Sequence, residues 1–308
     1  MTSPIANRYD FVYLFDCLDG NPNGDPDAAN QPRMDPQTLH GLVSDVCLKR
    51  KIRNYALALG REGYDIFIQH HSPLNPRIKE ACEKTGLPSH AKGDGEYDKD
   101  KAKKRPPAEI RMIQGYLCGR YYDIRAFGGV LSTGPNAGQI RGPLQVSFSR
   151  SVDPVAPLDL SITRIADVDS DTEAEMGRKN LIPYGLYRCH GFISANLAAQ
   201  TGFSDDDLKV LWDALKAMFD LDRSAARGTM AARRLIAFKH VGTDSDQKKR
   251  EAQARLGCAP AHKLFELVEV KRKETVETPR RYEDYDEAKI PASGPLAAFP
   301  GVEVLDLL

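Results

Sequence analysis

The stretch from Asp16 to Tyr55, DCLDGNPNGDPDAANQPRMDPQTLHGLVSDVCLKRKIRNY, constrains the fold more than any other in the chain. It joins the end of an apolar strand to a loop crowded with Gly, Pro, Asn and Asp, and then to a helix carrying Lys49, Arg50, Lys51 and Arg53. Strand, turn-rich loop and cationic helix in that order can present backbone amides and positive charge together, which is the chemistry of an anion site. The strand, residues 9 to 18 (YDFVYLFDCL), puts Tyr9, Phe11, Tyr13, Phe15 and Cys17 on one side and Val12 and Leu14 on the other. Apolar residues on both faces need cover on both faces, so this is a central strand.

The loop invites comparison with a calcium site. Asp19, Asn21, Asn23, Gly24, Asp25 and Asp27 fall at EF-hand positions 1, 3, 5, 6, 7 and 9, but the closing Glu is replaced by Asn30 and a strand precedes the loop. Two prolines interrupt it, and a turn-forming backbone surface is the better reading. Asp35-Pro36 predicts a helix start, with Asp as N-cap and Pro in the first turn. Leu39, Leu42, Val43 and Val46 would then form an apolar stripe. Continued along the helix, that stripe meets Arg50 and Arg53, which either snorkel from the edge of the core or face an anion.

Further on, residues 64 to 69 predict a short strand and 76 to 86 a helix. Residues 88 to 107 are nearly devoid of apolar side chains and rich in Gly and Lys, a surface insertion. A helix around 107 to 118 leads into YYDIRAFGGVLSTGPNAGQIRGPLQVSFSRSV, read as strand, glycine-rich connection and strand. Gly128, Gly129, Gly134, Gly138 and Gly142 would let backbone approach a ligand closely, with Arg125 and Arg141 flanking. Neither GxGxxG nor GxxxxGK[ST] occurs, so nucleotide cofactors have no support. Residues 160 to 183 predict a projecting hairpin with an acidic turn, and 185 to 194 a strand. SDDDLKVLWDALKAMF is a helix capped by Ser204, with Leu208, Leu211, Trp212, Leu215, Met218 and Phe219 in one stripe destined for a sheet. Residues 234 to 241 and 263 to 271 predict strands, and the acidic end after Arg280 a peripheral tail.

The resulting fold class is α+β, a modified ferredoxin-like or RRM-like βαββαβ core with large insertions. Residues 1–75 hold the first part of the core with the basic helix, 76–120 a helical and lysine-rich insertion, and 121–159 core strands with the glycine-rich segment. A projecting arm spans 160–184, the second part of the core 185–280, and the acidic tail 281–308.

Charge distribution turns this plan toward function. Lys plus Arg and Asp plus Glu number 43 each, yet the charges are segregated. Residues 48 to 54 and 227 to 239 each carry four basic groups and no acid, and Arg111 to Arg150 hold five arginines against Asp123 alone. Residues 167 to 175 and 283 to 308 are acidic. Such a pattern suits a protein with a basic face for a ligand and acidic faces elsewhere that meet basic faces of other subunits. No run of about 18 apolar residues and no signal peptide are evident, so the expectation is a soluble, cytoplasmic protein. The six scattered cysteines form no CxxC pair and the seven histidines no HxxxH or HExxH, so no metal is expected. His40 with Asp25 could form a nuclease-like site, but acids in such a loop more commonly form turns. Three separated basic segments with Tyr55, Tyr121, Tyr122 and Phe127 nearby suit phosphate contact and base stacking instead, although the RNP1 signature is lacking.

The runs GNPNGDPDAANQPRMDPQTLHGLVSDVCLKRKIRNY, DIRAFGGVLSTGPNAGQIRGPLQVSFSRSVDP, MGRKNLIPYGLY and RSAARGTMAARRLIAFKH resemble the backbone subunit of the type I-C CRISPR Cascade surveillance complex, in the RAMP superfamily. The resemblance extends from residue 9 to about 273. It implies a hand-like RRM-type subunit without catalytic activity or cofactor. Copies would polymerise head to tail on CRISPR RNA, meet other Cascade subunits and present the guide to target DNA. It places Asn23, Gly24, Lys49, Arg50, Lys51 and Arg53 close to guide phosphates, Arg125, Phe127 and Arg141 beside the RNA, and Met176, Arg178 and Lys179 on the arm. The acidic segments 167 to 175 and 205 to 207 would meet a neighbouring copy. A CRISPR-associated endoribonuclease and a metal-stabilised interaction module are the competing readings.

Overall fold

The structure, a computed structural model, describes residues 3–93, 95–163 and 176–308. In chain order its principal elements are β1 (Tyr9–Gly20), β2 (His40–Val43), α1 (Asp45–Ala58), α2 (Leu74–Lys84), α3 (Pro107–Arg120) and α4 (Tyr122–Phe127). Then follow β3 (Leu144–Val146), β4 (Ser149–Pro154), β5 (Leu158–Thr163), β6 (Met176–Ile193), α5 (Asp205–Leu221), β7 (Thr229–His240), α6 (Ala261–Phe265) and β8 (Val302–Asp306).

Because β1 is apolar on both faces, it lies mid-sheet, antiparallel to β6 on one side and β7 on the other. The sheet order is β8-β7-β1-β6-β4-β2, and β5 and β3 pair with opposite ends of the long β6. On one face Phe11, Tyr13 and Phe15 receive α1 and α5. Trp212 meets Phe11 edge-on at 5.3 Å, and Phe219 lies 5.2 Å from Phe15. The Tyr13 hydroxyl donates to the Leu215 carbonyl (2.6 Å), which satisfies that buried group. On the other face Val12, Leu14, Ile236 and Phe238, continued in the sheet by Val302 and Val304 of β8, are covered by Phe265, Val268 and Tyr285. A third cluster holds α2, α3 and α4 together through Phe67, Ile78, Ile113, Leu117 and Ile124.

Several local expectations give way. The cationic helix starts at Ser44, not at Asp35: the Asp35 carboxylate accepts N–H groups from Gln37 (3.0 Å) and Thr38 (3.4 Å), forming a turn that ends at Leu39 with φ 57°. The chain then runs extended as β2 against β4, and Ser44 caps α1 through the Cys47 amide. Residues 122–127 are helix instead of strand, so Tyr121 and Tyr122 are buried and unavailable for stacking. Of the strand expected at 64 to 69, a single bridge between Asp65 and Tyr121 forms. Residues 263 to 271 begin as α6, where Leu264, Phe265 and Val268 bury one side of a turn. The end of the chain is not peripheral, since β8 extends the sheet beside β7.

Helix α5 carries a capping box in which Ser204 and Asp207 bond each other's amides. Asp207 does more: its two carboxylate oxygens accept from Arg125 Nε (2.8 Å) and Nη2 (2.7 Å). Arg125 Nη1 binds the Cys118 carbonyl (2.5 Å), so one buried pair ties α5 to α4 and α3. Asp207 is therefore internal, and only Asp205 and Asp206 of that acidic trio are exposed. Removing one partner of a buried pair strands the other charge. We expect Asp207→Asn to lower the unfolding free energy by about 3 kcal/mol, with Asp206→Asn within about 0.5 kcal/mol of the parent, in urea titration followed by tryptophan fluorescence.

Candidate nucleic-acid interface

At the end of β1 the chain turns through residues 21 to 32, and this loop is tied down on two sides. The Asn21 amide donates to the Ala226 carbonyl (2.8 Å), in the turn between α5 and β7. Asn23 Oδ1 accepts from both the amide and hydroxyl of Ser44 (2.9 Å each), fastening the loop to the start of α1. Loop, helix and turn enclose a cleft of about 800 Å³ lined by Asn21, Asn23, Gly24, Arg33, Arg50, Lys51, Phe148, Asp222 and Arg227 among others.

The cleft is cationic, with Arg33, Arg50, Lys51 and Arg227 against the single carboxylate of Asp222. Lys51 and Arg227 both pair with Asp222, Arg227 at 3.1 Å, and Lys51 is 3% exposed. Arg33 pairs with Asp25 at 3.2 Å. Arg50 is exposed, and its guanidinium has no partner among the described residues. A carboxylate shared by two cations leaves excess positive charge, and a free guanidinium beside it supplies the fork that suits a phosphate. Asn21 Oδ1, buried at the wall, is also without a hydrogen-bond partner among the described residues.

The other predicted residues divide into three groups. Lys49 and Arg53 lie on the adjacent side of α1, both over the ring of Phe127, at 5.7 Å and 4.9 Å. Lys49 pairs with Asp45 (2.9 Å), and Arg53 Nε donates to Asp123 Oδ2 (3.0 Å), leaving its two Nη groups without hydrogen-bond partners among the described residues. Arg141 is exposed and paired across a short ladder with Gly128, directly after Phe127. Lys49, Arg53 and Arg141 thus border a second cationic strip on which Phe127, 9% exposed, serves as a floor and not a free stacking ring. Arg125 is withdrawn from any interface, since the Asp207 pair and the Cys118 and Gly63 carbonyls use its donors.

On the arm, Arg178 is exposed and 3.4 Å from Asp159, and Lys179 is half-buried. Met176 opens β6, and its side chain, like the acidic segment 167 to 175, lies outside the described residues. Asn180 Nδ2 donates to the Ala29 carbonyl (3.2 Å), joining the arm's root to the first loop.

The glycine-rich segment does not open the backbone to a ligand as expected. Gly128 has φ 74°, and a Cβ there would lie 2.2 Å from the Ile140 carbonyl oxygen; at Gly142 it would lie 2.2 Å from the Phe127 carbonyl carbon. These glycines let two segments of the chain approach each other. Arg33, Arg227 and Phe148 were not singled out in the sequence. Arg227 stood in a basic run, but nothing local to Phe148 distinguishes it from a core phenylalanine. His40 Nδ1 bonds the Ser151 carbonyl (2.7 Å), which gives it a place in the β2–β4 pairing.

With this geometry in hand, comparison with known proteins decides the family. The family model for CRISPR-associated protein Cas7 matches residues 7–290. The chain belongs to the Cas7 family. A CRISPR-associated protein Cas7 from Haloferax volcanii is 28% identical over 224 residues, covering 68% of this chain and 64% of the relative. The match therefore spans less than two thirds of that relative's length. A chain of a solved CRISPR RNA-guided surveillance complex in a pre-nicking state is similar with TM-score 0.49 and 15% identity, covering 82% of this chain and 84% of that one. A chain of another CRISPR RNA-guided surveillance complex gives TM-score 0.40 at 11% identity, covering 81% and 76%. No helix among the described residues is long and apolar enough to cross a membrane.

In this Cas7 chain a second groove, of about 480 Å³, adjoins the first through Phe148 and is lined by Ser147, Arg150, Arg188, His190 and Val270. His190 stacks on Phe265 at 4.3 Å. Burial, aided by Arg188, brings its pKa down to about 4. The folded state thus binds this proton less readily than the unfolded chain, whose histidine titrates near 6.5. The resulting stability is present above pH 6.5 and is lost as pH falls toward 4. Replacing His190 by Phe is expected to make the decline in urea midpoint between pH 7 and pH 5 shallower than in the parent.

Proposed function

We propose that this Cas7-family chain is the non-catalytic backbone subunit of a type I-C surveillance complex. It binds CRISPR RNA by its sugar-phosphate backbone, assembles in several head-to-tail copies along the guide, and presents the guide for pairing with target DNA in antiviral defence. The observation that carries the reading is the cleft at the end of β1, where Arg50 is unpaired and Lys51 and Arg227 share one carboxylate. Such a site recognises phosphate without reading bases, which is what a subunit serving guides of any sequence requires.

The topology supports the finer fold assignment. The strands β7-β1-β6-β4, with α1 and α5 on one face, follow the order of a ferredoxin-like βαββαβ core. In such a core the sheet face opposite the helices is a common RNA platform, but here it lies beneath α6, Val268 and Tyr285. The RNA path runs instead from Asn23 and Gly24 over Arg50 and Lys51, with Lys49, Arg53, Phe127 and Arg141 along the adjoining strip. Met176, Arg178 and Lys179 on the arm contact the guide where it meets target DNA. Identical subunits stacked in one direction need a heterologous interface, for which Asp205 and Asp206 supply exposed negative charge.

Arg50→Ala is expected to weaken binding of single-stranded RNA equally for unrelated sequences. It should also reduce the slope of log affinity against log salt by about 0.7, measured by fluorescence anisotropy, while the melting temperature stays unchanged. An unaltered slope in Arg50→Ala would contradict the assignment of this cleft to RNA.

A further inference from the structure

Phe148 joins the two grooves, and it differs from every other aromatic residue near them. The backbone on either side is fixed. The Ser147 amide donates to the His190 carbonyl (2.8 Å), the His190 amide donates back to Ser147 Oγ (3.1 Å), and Ser149 is fully buried in register with Val43. A side chain held between such anchors cannot turn into the core, and Phe148 is 58% exposed. An exposed phenylalanine alone means little, because apolar residues are common on protein surfaces. Its placement is what matters: the ring lines both the cleft of Arg50 and Arg227 and the groove of Arg150, whose half-exposed guanidinium pairs with Asp35 (2.7 Å) through Nη1.

The ring also has free faces. Phe127 is covered by Lys49 and Arg53, and Tyr121 and Tyr122 are buried, whereas no cation or aromatic ring stacks on Phe148 among the described residues. A rigidly presented aromatic face flanked by guanidinium groups is the arrangement that binds single-stranded nucleic acid, with charge tracking the backbone and the ring receiving a base.

Resting on the RNA-binding reading above, we propose that Phe148 is a stacking platform for one nucleobase of a single strand, whose phosphates lie in the Arg50 cleft on one side and beside Arg150 on the other. Every base has a π-face, so the platform accepts any of the four. It orients the strand without reading it.

The test compares the full chain with Phe148→Leu and Phe148→Trp. Oligo-U and oligo-A RNAs long enough for one subunit, some carrying 2-aminopurine, are titrated across a salt series. Loss of one stacked base should weaken binding roughly five- to 150-fold in Phe148→Leu. The salt slope should be unchanged because no phosphate contact is lost, and Phe148→Trp should restore affinity. Quenching of 2-aminopurine on binding should diminish in Phe148→Leu and return in Phe148→Trp. Parental affinity and quenching in Phe148→Leu would overturn the platform while leaving the cleft intact. Parental one-site affinity with fewer copies on long RNA would assign Phe148 to contact between subunits and overturn it equally. If the parent chain binds no RNA at any salt concentration, the underlying reading fails as well.

Discussion

The middle of the central strand is apolar on both faces. With Phe11, Tyr13 and Phe15 on one side and Val12 and Leu14 on the other, all fully buried, β1 is stable only between two apolar layers. Helices α1 and α5 supply one layer; α6, Val268 and Tyr285 supply the other. Both sheet faces are thereby spent on stability. The cationic cleft lies at the end of the strand, where β1 runs into the loop at Asn21 and the cationic helix begins.

Ion pairing then decides which cations remain for a ligand. Lys51, Arg53 and Arg125 all look available in the sequence, yet their carboxylate partners lie 171, 70 and 82 residues away. Arg125 is wholly consumed by the join between α4 and α5, Lys51 is partly neutralised by an aspartate it shares with Arg227, and Arg53 commits only its Nε. Arg50 keeps its full charge. In a chain whose acids and bases balance at 43 each, this selective pairing, more than basic content, makes one surface attractive to a polyanion.

The parts legible in the sequence were those whose signal is local or strictly periodic. Two apolar faces placed β1 centrally, and Ser204 with the stripe from Leu208 to Phe219 located α5 and its sheet contact. Competition between local signals misled elsewhere. Asp35-Pro36 has the form of a helix start but makes a turn because β2 must extend to pair with β4, and the helix begins after Ser44. The glycines around 128 to 142 signalled close approach correctly but not of what, since a tight turn and a ligand-facing loop draw on the same residue. Phe148 was invisible because only its neighbours' hydrogen bonds, made across the sheet, hold it outward.

Membership in the Cas7 family and a cationic cleft at the end of β1 together give the account its central claim, that this end of the sheet holds a nucleic-acid backbone. The most direct measurement is arginine protection. The full chain, with and without saturating single-stranded RNA, is labelled with phenylglyoxal and the modified sites are read by mass spectrometry. The account predicts that labelling of Arg50 falls sharply on RNA addition, while exposed Arg255, which lines neither groove, is unaffected. Equal labelling of Arg50 in free and RNA-bound protein would contradict it.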